Sequence, residues 1–137
     1  MRYMLDTNIC VYLMKAHPPE VLTRLQQLDH GDVVMSIITY AELRVGLEVL
    51  GSTRAQNERA LQLLSRDISV LPFDEAAAER YGVQRAAVRD RRRDALDRLI
   101  AAHAASLGLT LITNNEADFR DYPGLLVENW VQNAWPK

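Results

Sequence analysis

The sequence predicts an α/β fold built on a mainly parallel central sheet of four to five strands, and three observations carry that prediction. Short apolar runs of strand character recur at Arg2–Leu5, Val33–Ser36, Ser69–Phe73 and Thr110–Thr113, with a further one at Leu125–Glu128 that suits a sheet edge. Between them lie stretches with apolar residues at helical spacing, and strands alternating with helices indicate parallel pairing. Acids and small polar residues cluster just past the strand ends, where open parallel sheets place their sites.

Taken in order, Arg2 to Leu5 is a short strand, and Asp6-Thr7-Asn8 suits the start of a helix running through Ile9 to Lys15. Pro18-Pro19 opens a second helix with Val21, Leu22, Leu25 and Leu28 on one face. His30-Gly31-Asp32 turns into the second strand. Thr39 is expected to cap the next helix, which carries Leu43, Leu47 and Leu50 and breaks at Gly51-Ser52. An amphipathic helix with Leu61, Leu63 and Leu64 follows. After the third strand, Asp74 is expected to cap a long helix from Glu75 toward Arg93. Leu96 to Leu107 forms an apolar helix, closed by Gly108, that leads into the fourth strand.

A chain of 137 residues reads as a single domain, 1–137, and its hydrophobic (48%) and charged (25%) fractions are those of a folded globular protein. The longest apolar stretch, Leu99 to Ile112, is broken by His103, Ser106 and Gly108 and is too short for a membrane span. Asp6 arrives before a signal-peptide core can form, so the expectation is a cytoplasmic protein with no membrane partner. Cys10, the single cysteine, excludes an internal disulfide and a cysteine zinc site, and its apolar neighbours mark it as a core residue. His17, His30 and His103 lack zinc-ligand spacing, and His103 reads as a packed or capping residue.

The net charge of −2 argues against a protein that coats nucleic acid, but not against a nuclease whose acids hold metal. Lysine occurs only at Lys15 and Lys137, whereas arginines cluster at Arg85, Arg89, Arg91, Arg92, Arg93 and Arg98. Guanidinium groups fork onto phosphate oxygens, so the cluster suits a polyanion; with Asp90 and Asp94 inside the run, a solvated helix face explains it equally well.

Four acids stand out: Asp6, Glu42, Asp97 and Asp118. Each has a structural explanation by itself. Asp6 and Asp97 suit helix starts, Glu42 completes a capping box with Thr39, and Asp118 suits a turn before Phe119. Their joint placement, with Thr7, Thr113, Asn114 and Asn115 at the same strand ends, is what points to a shared cleft. Carboxylates gathered in low dielectric repel one another, and a hard divalent cation such as Mg²⁺ or Mn²⁺ relieves that repulsion. Convergence requires the first and fourth strands to be neighbours, an order that spacing alone does not give.

Met4-Leu5-Asp6-Thr7-Asn8, Ser36-Ile37-Ile38-Thr39-Tyr40-Ala41-Glu42-Leu43, Asp97-Arg98-Leu99-Ile100-Ala101-Ala102-His103-Ala104 and Leu111-Ile112-Thr113-Asn114-Asn115, followed by Asp118-Phe119, resemble the PIN-domain ribonucleases. The resemblance is closest to the VapC toxins of bacterial toxin–antitoxin pairs and runs essentially end to end, including Leu71-Pro72-Phe73-Asp74 and Pro123-Gly124-Leu125 to Trp130. It implies a Rossmann-like α/β/α sandwich, a Mg²⁺ or Mn²⁺ site and hydrolytic cleavage of RNA. Asp6, Glu42, Asp97 and Asp118 match the family's four acidic positions, with Asp6, Asp97 and Asp118 as metal ligands and Thr7, Thr113 and Asn115 lining the pocket. Arg93 and Arg98, beside Asp97, would bind the RNA backbone. The Glu42 segment and the tail resemble the subgroup that cuts initiator transfer RNA in its anticodon stem-loop.

The resemblance also implies a homodimer and a VapB-type antitoxin packed on an apolar groove, from the Leu22/Leu25/Leu28 and Leu43/Leu47/Leu50 faces, although core packing explains those leucines nearly as well. One segment departs from the pattern. Relatives carry a Gly- or Pro-containing turn before the third acid, whereas Arg91-Arg92-Arg93-Asp94-Ala95-Leu96-Asp97 has neither, so the preceding helix is expected to run on toward Asp97. Two other classes are weighed. An aspartyl-phosphate phosphatase or receiver fits Asp6-Thr7-Asn8 poorly, because Asn8 stands where the general-acid aspartate belongs, and both folds want a lysine near a late strand while the only lysines are Lys15 and Lys137. A PIN-fold binding module, weak or inactive as an enzyme, would keep the acids for structure alone.

Overall fold

The computed structural model describes residues 1–49, 51–88 and 95–131. Its elements run β1 (Tyr3–Leu5), α1 (Thr7–Lys15), α2 (Pro19–Gln26), β2 (Val33–Ser36), α3 (Ile37–Val49), a short 3₁₀ turn at Gly51–Thr53, α4 (Arg54–Asp67) and β3 (Ser69–Leu71). Then follow α5 (Glu75–Ala87), α6 (Ala95–Ser106), β4 (Thr110–Ile112), α7 (Glu116–Phe119) and β5 (Leu126–Glu128). All strand pairs are parallel, in the order β3-β2-β1-β4-β5. The chain starts in the middle of the sheet, builds outward to one edge, then crosses back to build the other. That reversal makes the β1/β4 seam the switch point, where a crevice opens past the strand ends.

The pleat sorts the core into two layers. Tyr3, Leu5, Val33, Met35 and Ile112 face one way and pack with Ile9, Leu13, Val21, Leu43, Leu47 and Leu61 from α1 to α4. Met4, Val34 and Leu111 face the other way, onto Ile100, Ala101 and Ala104 of α6, Val88 and Phe119. Side chains alternate in this way because a strand has a period of two, and strands covered on both faces are apolar throughout. The middle strands β1 and β2 are wholly buried, while the edge strands β3 and β5 are partly exposed. Alanines at 101, 102, 104 and 105 are all buried on α6, so neighbouring backbone can approach closely. Gly108, at φ 68°, closes that helix in a left-handed conformation that side chains disfavour.

Several local expectations change. Helix α3 starts at Ile37, so Thr39 is buried inside it and does not cap it; Ser36 does, its Oγ accepting from the Ile38 amide at 3.0 Å. The third strand stops at Leu71, before Pro72. Asp74 caps α5 as expected, accepting from the Ala77 amide at 2.9 Å. Helix α5 ends at Ala87, with Val88 outside helical geometry at φ −123°, so it does not run on to Asp97. Arg89 to Asp94, with Arg91, Arg92 and Arg93, lie outside the described residues, as does Leu50. The end of the described chain is pinned where Trp130 Nε1 donates to Glu128 at 2.8 Å and Arg24 donates to the same oxygen at 3.2 Å.

Candidate active site

Asp6 leaves β1 at the switch point and caps α1, its Oδ1 accepting from the Ile9 amide at 2.9 Å. Its own amide donates to the Ile112 carbonyl of β4 at 3.0 Å, which sets it beside Thr113. The side chain is 5% exposed. Burial pushes its pKa up to about 6; Thr113 and the Ile9 and Asn8 amides oppose that rise, and the neighbouring Glu42 carboxylate adds to it. None of these groups is a cation.

Glu42 sits one turn into α3, half-buried, and accepts from the Thr7 hydroxyl. The capping box expected for it does not form, because the helix begins earlier and Thr7 takes its place as partner. Thr113 is fully buried, and its Oγ1 accepts from the Asn115 amide at 3.0 Å. Asn115 in turn donates through its side chain to Asp118. A hydrogen-bonded chain therefore runs from Asp118 through Asn115 and Thr113 to Asp6. Asp118 belongs to the short helix α7 rather than to an open loop.

Asp97 lies in the first turn of α6, half-buried. Among the described residues, no three Asp, Glu, His or Cys side chains stand close enough to hold a metal together. The structure thus brings Asp6, Glu42, Thr7 and Thr113 together and links Asp118 to them, but the expected four-acid cluster is not drawn tight. The pair that does meet fits a hard divalent cation. Two neighbouring carboxylates, one of them buried with its pKa raised to about 6, meet with no cation among the groups that act on it, and a divalent ion would relieve their repulsion.

Arg98 was expected to reach RNA, and the structure buries it instead: it is 4% exposed, and its Nε and Nη2 have no hydrogen-bond partner among the described residues. A guanidinium enclosed in α6 presents no fork to a phosphate in solvent. Arg93 is outside the described residues. Cys10 is buried as expected, which pushes its thiol up and makes it inert.

Two features escaped the sequence. One is the pairing of Ser36 with His103 beneath the site, whose only local signal was a serine immediately before a helix. The other is an exposed polar row at the rim, in which Asn129 donates to Asn114 at 3.1 Å and Asn114 donates to the Tyr12 hydroxyl at 3.3 Å. An apolar groove of about 340 Å³ opens from the site, lined by Thr7, Val11, Met14, Glu42, Leu43 and Leu47. The Leu22/Leu25 face contributes to a separate depression of about 210 Å³ with Leu13, Met14, Leu63 and Leu64.

The PIN domain family matches residues 3–125. Ribonuclease VapC1 of Haemophilus influenzae (strain R2866) is 40% identical over 136 residues, covering 96% of this chain and 100% of that protein. The tRNA(fMet)-specific endonuclease VapC of Shigella flexneri is 36% identical over 132 residues, 95% of this chain and 98% of that one. Among solved structures, VapBC2 from Rickettsia felis bound to a DNA fragment from their promoter superposes with a TM-score of 0.88 at 33% identity, over 96% of this chain and 100% of that chain. VapBC-1 from nontypeable Haemophilus influenzae gives 0.84 at 39% identity, over 95% and 98%. With a buried acid at the switch point, a second acid beside it and relatives matching end to end, the chain belongs to the PIN-domain family, in its VapC group.

Proposed function

We propose that this chain is the ribonuclease toxin of a VapBC pair, a metal-dependent endoribonuclease that cuts transfer RNA and is silenced by a VapB-type antitoxin. The observation that carries the reading is Asp6, buried at the β1/β4 switch point with Glu42 beside it. The relatives support the nuclease, since those described above are named ribonuclease or endonuclease, and the Shigella protein's name supports initiator transfer RNA as the target.

Asp6 and Asp97 would hold the Mg²⁺ or Mn²⁺ ion, with Asp118 as the third carboxylate. A bound cation supplies Lewis acidity at the phosphate and acidifies water. Glu42, held by the Thr7 hydroxyl, orients the attacking water and takes its proton as the water oxygen bonds to phosphorus. The bond to the 3′ oxygen breaks in line with that attack, and the departing oxygen takes a proton from solvent water to leave as the 3′-hydroxyl. Asn115, which is exposed, orients the backbone oxygens of the RNA and keeps Asp118 in place, whereas Thr113 is fully buried and, instead of touching the RNA, holds Asp6 and the Asn115 amide. Arg93 is retained as a backbone contact. The aspartyl-phosphate reading has no support from the family match, and a purely structural role for the acids is at odds with burying one next to another.

The antitoxin's apolar segment would fill the groove along Val11, Met14, Leu43 and Leu47, which ends at Glu42 and so places the inhibitor against the site. No helix among the described residues is long and apolar enough to cross a membrane, in keeping with a cytoplasmic target. The deciding experiment is cleavage of a total transfer-RNA pool with Mg²⁺, with Mn²⁺ and with EDTA, alongside Asp6→Ala and Asp97→Ala proteins. Discrete fragments that need metal and both aspartates are expected. An Asp6→Ala protein that cuts at the wild-type rate would end this mechanism.

A further inference from the structure

His103 is a buried imidazole that the proposed chemistry does not use, and it joins three elements. It lies on α6, 1% exposed, with Nδ1 2.8 Å from Ser36 Oγ at the end of β2 and its ring edge-on to Phe73, 5.5 Å between centroids, in the β3–α5 connection. Burial is the largest influence on its pKa and lowers it; Asp74 and a hydrogen bond to the Pro72 carbonyl pull the other way. The ring is thus neutral at pH 7, with one N–H. The partners assign that proton: the Pro72 carbonyl can only accept, so Nε2 carries the hydrogen and Nδ1 is left to accept from Ser36. Ser36 Oγ meanwhile accepts from the Ile38 amide at 3.0 Å, so the hydroxyl is committed at both ends.

The consequence lies in what those ends hold. Ser36 is the cap that fixes the first turn of α3, and Glu42 follows one turn later, bonded to Thr7. His103 stands on the helix whose first turn carries Asp97. Without the imidazole, Ser36 keeps its bond from the Ile38 amide but loses its anchor on α6, and the start of α3 is held against that helix only by apolar packing, which is non-directional. We propose that His103 is a positioning residue for the cleavage site: through Ser36 it fixes the start of α3, and with it the Glu42 carboxylate, relative to Asp97 on α6. This inference rests on the reading of Glu42 and Asp97 as site residues.

Two substitutions separate positioning from bulk. In His103→Asn the amide oxygen takes the place of Nδ1 and still accepts from Ser36. In His103→Gln the amide reaches the Nε2 position and serves Pro72 while abandoning Ser36. The full-length protein and its His103→Asn, His103→Gln and Ser36→Ala variants are assayed on the transfer-RNA pool with Mn²⁺, for apparent kcat and KM, and by amide hydrogen exchange over residues 37–43.

His103→Gln and Ser36→Ala are expected to lower kcat about tenfold or more, as misplaced groups do, with KM nearly unchanged and with faster exchange at 37–43. His103→Asn is expected to keep both close to wild type, and the His103→Gln/Ser36→Ala double variant to be no worse than either single one. Unchanged kcat and exchange in folded His103→Gln and Ser36→Ala proteins would overturn the proposal, as would effects that simply add. Should His103→Gln fail to unfold cooperatively, Ser36→Ala, a loss of one oxygen, decides alone. If the wild type cuts no RNA, the nuclease reading fails, while the exchange arm still shows whether His103 and Ser36 hold α3.

Discussion

Asp6 serves two purposes that ask opposite things of its charge. As the cap of α1 it needs only an oxygen to accept from the Ile9 amide, and an asparagine supplies that equally well. As a proposed metal ligand it needs the full carboxylate, kept in a buried place beside Glu42, where ionisation is opposed and the pKa rises to about 6. The sign of the stability effect follows. The folded state binds the Asp6 proton more tightly than the unfolded chain, so ionised Asp6 destabilises the fold above the folded pKa, and that penalty fades as pH falls toward the unfolded value near 4. Asp6→Asn is therefore expected to abolish cleavage while raising stability at pH 7 by up to about 3 kcal/mol, following the conversion of a pKa shift into free energy. Urea titrations at a series of pH values check it: the gap between variant and wild type should be full above about pH 6 and close near pH 4. A gap that is independent of pH would show that Asp6 is not strained in the folded protein. A divalent cation should raise the wild-type Tm and leave that of Asp6→Asn where it was, because only the wild type offers the buried carboxylate.

At the scale of elements, the caps distinguish what the sequence says from what it leaves open. Asp74 stands alone before an alanine-rich helix with no rival, so its role was legible, and Asp74→Ala should cost about 1 kcal/mol, Asp74→Asn a few tenths or less, with RNA cleavage unchanged. A loss of cleavage in a folded Asp74→Ala protein would mean that it belongs to the site. Before α3 the chain offers Ser36 and Thr39 in close succession, and both are acceptable caps. Local chemistry favours Thr39 because Glu42 completes a box; tertiary packing chooses Ser36 because His103 and the Ile38 amide meet there. The strands were legible for a plain reason: buried parallel strands are unbroken apolar runs. Their order was not, since the β1/β4 pairing that makes a site of Asp6 and Thr113 depends on contacts far apart in sequence. The arginine run misled in the same way. Arg98 looks like part of a charged face, yet α6 is buried on most of its circumference, so its stem packs and its head stays enclosed.

At the scale of the whole molecule, α3 organises two different surfaces. Leu43 and Leu47 enter the core on one side of the helix and line the groove that ends at Glu42. The opposite side carries Ile37, Ala41 and Val45, four apart, with Ile37 40% and Val45 64% exposed, while Val49 at the end of the helix joins the groove lining. An apolar stripe at this spacing covers one face of a helix, and a soluble chain tends to cover such a face with a partner. The homodimer expected from the sequence would use it directly: under two-fold symmetry the same stripe meets its own copy, so a single helix satisfies both sides of the interface. Glu42 lies next to Ala41 on that helix, so two sites would open near one seam and an RNA hairpin could meet both. Val45→Glu puts two like charges close to the two-fold axis, where they repel and lose hydration. The expected result is a shift from dimer to monomer in light scattering, with an unchanged far-ultraviolet spectrum showing that the fold persists. A wild-type protein that stays monomeric at high concentration would remove the dimer altogether. A Val45→Glu protein that stays dimeric would move the interface to another face, and the α3 stripe would then be left as surface with no role in assembly.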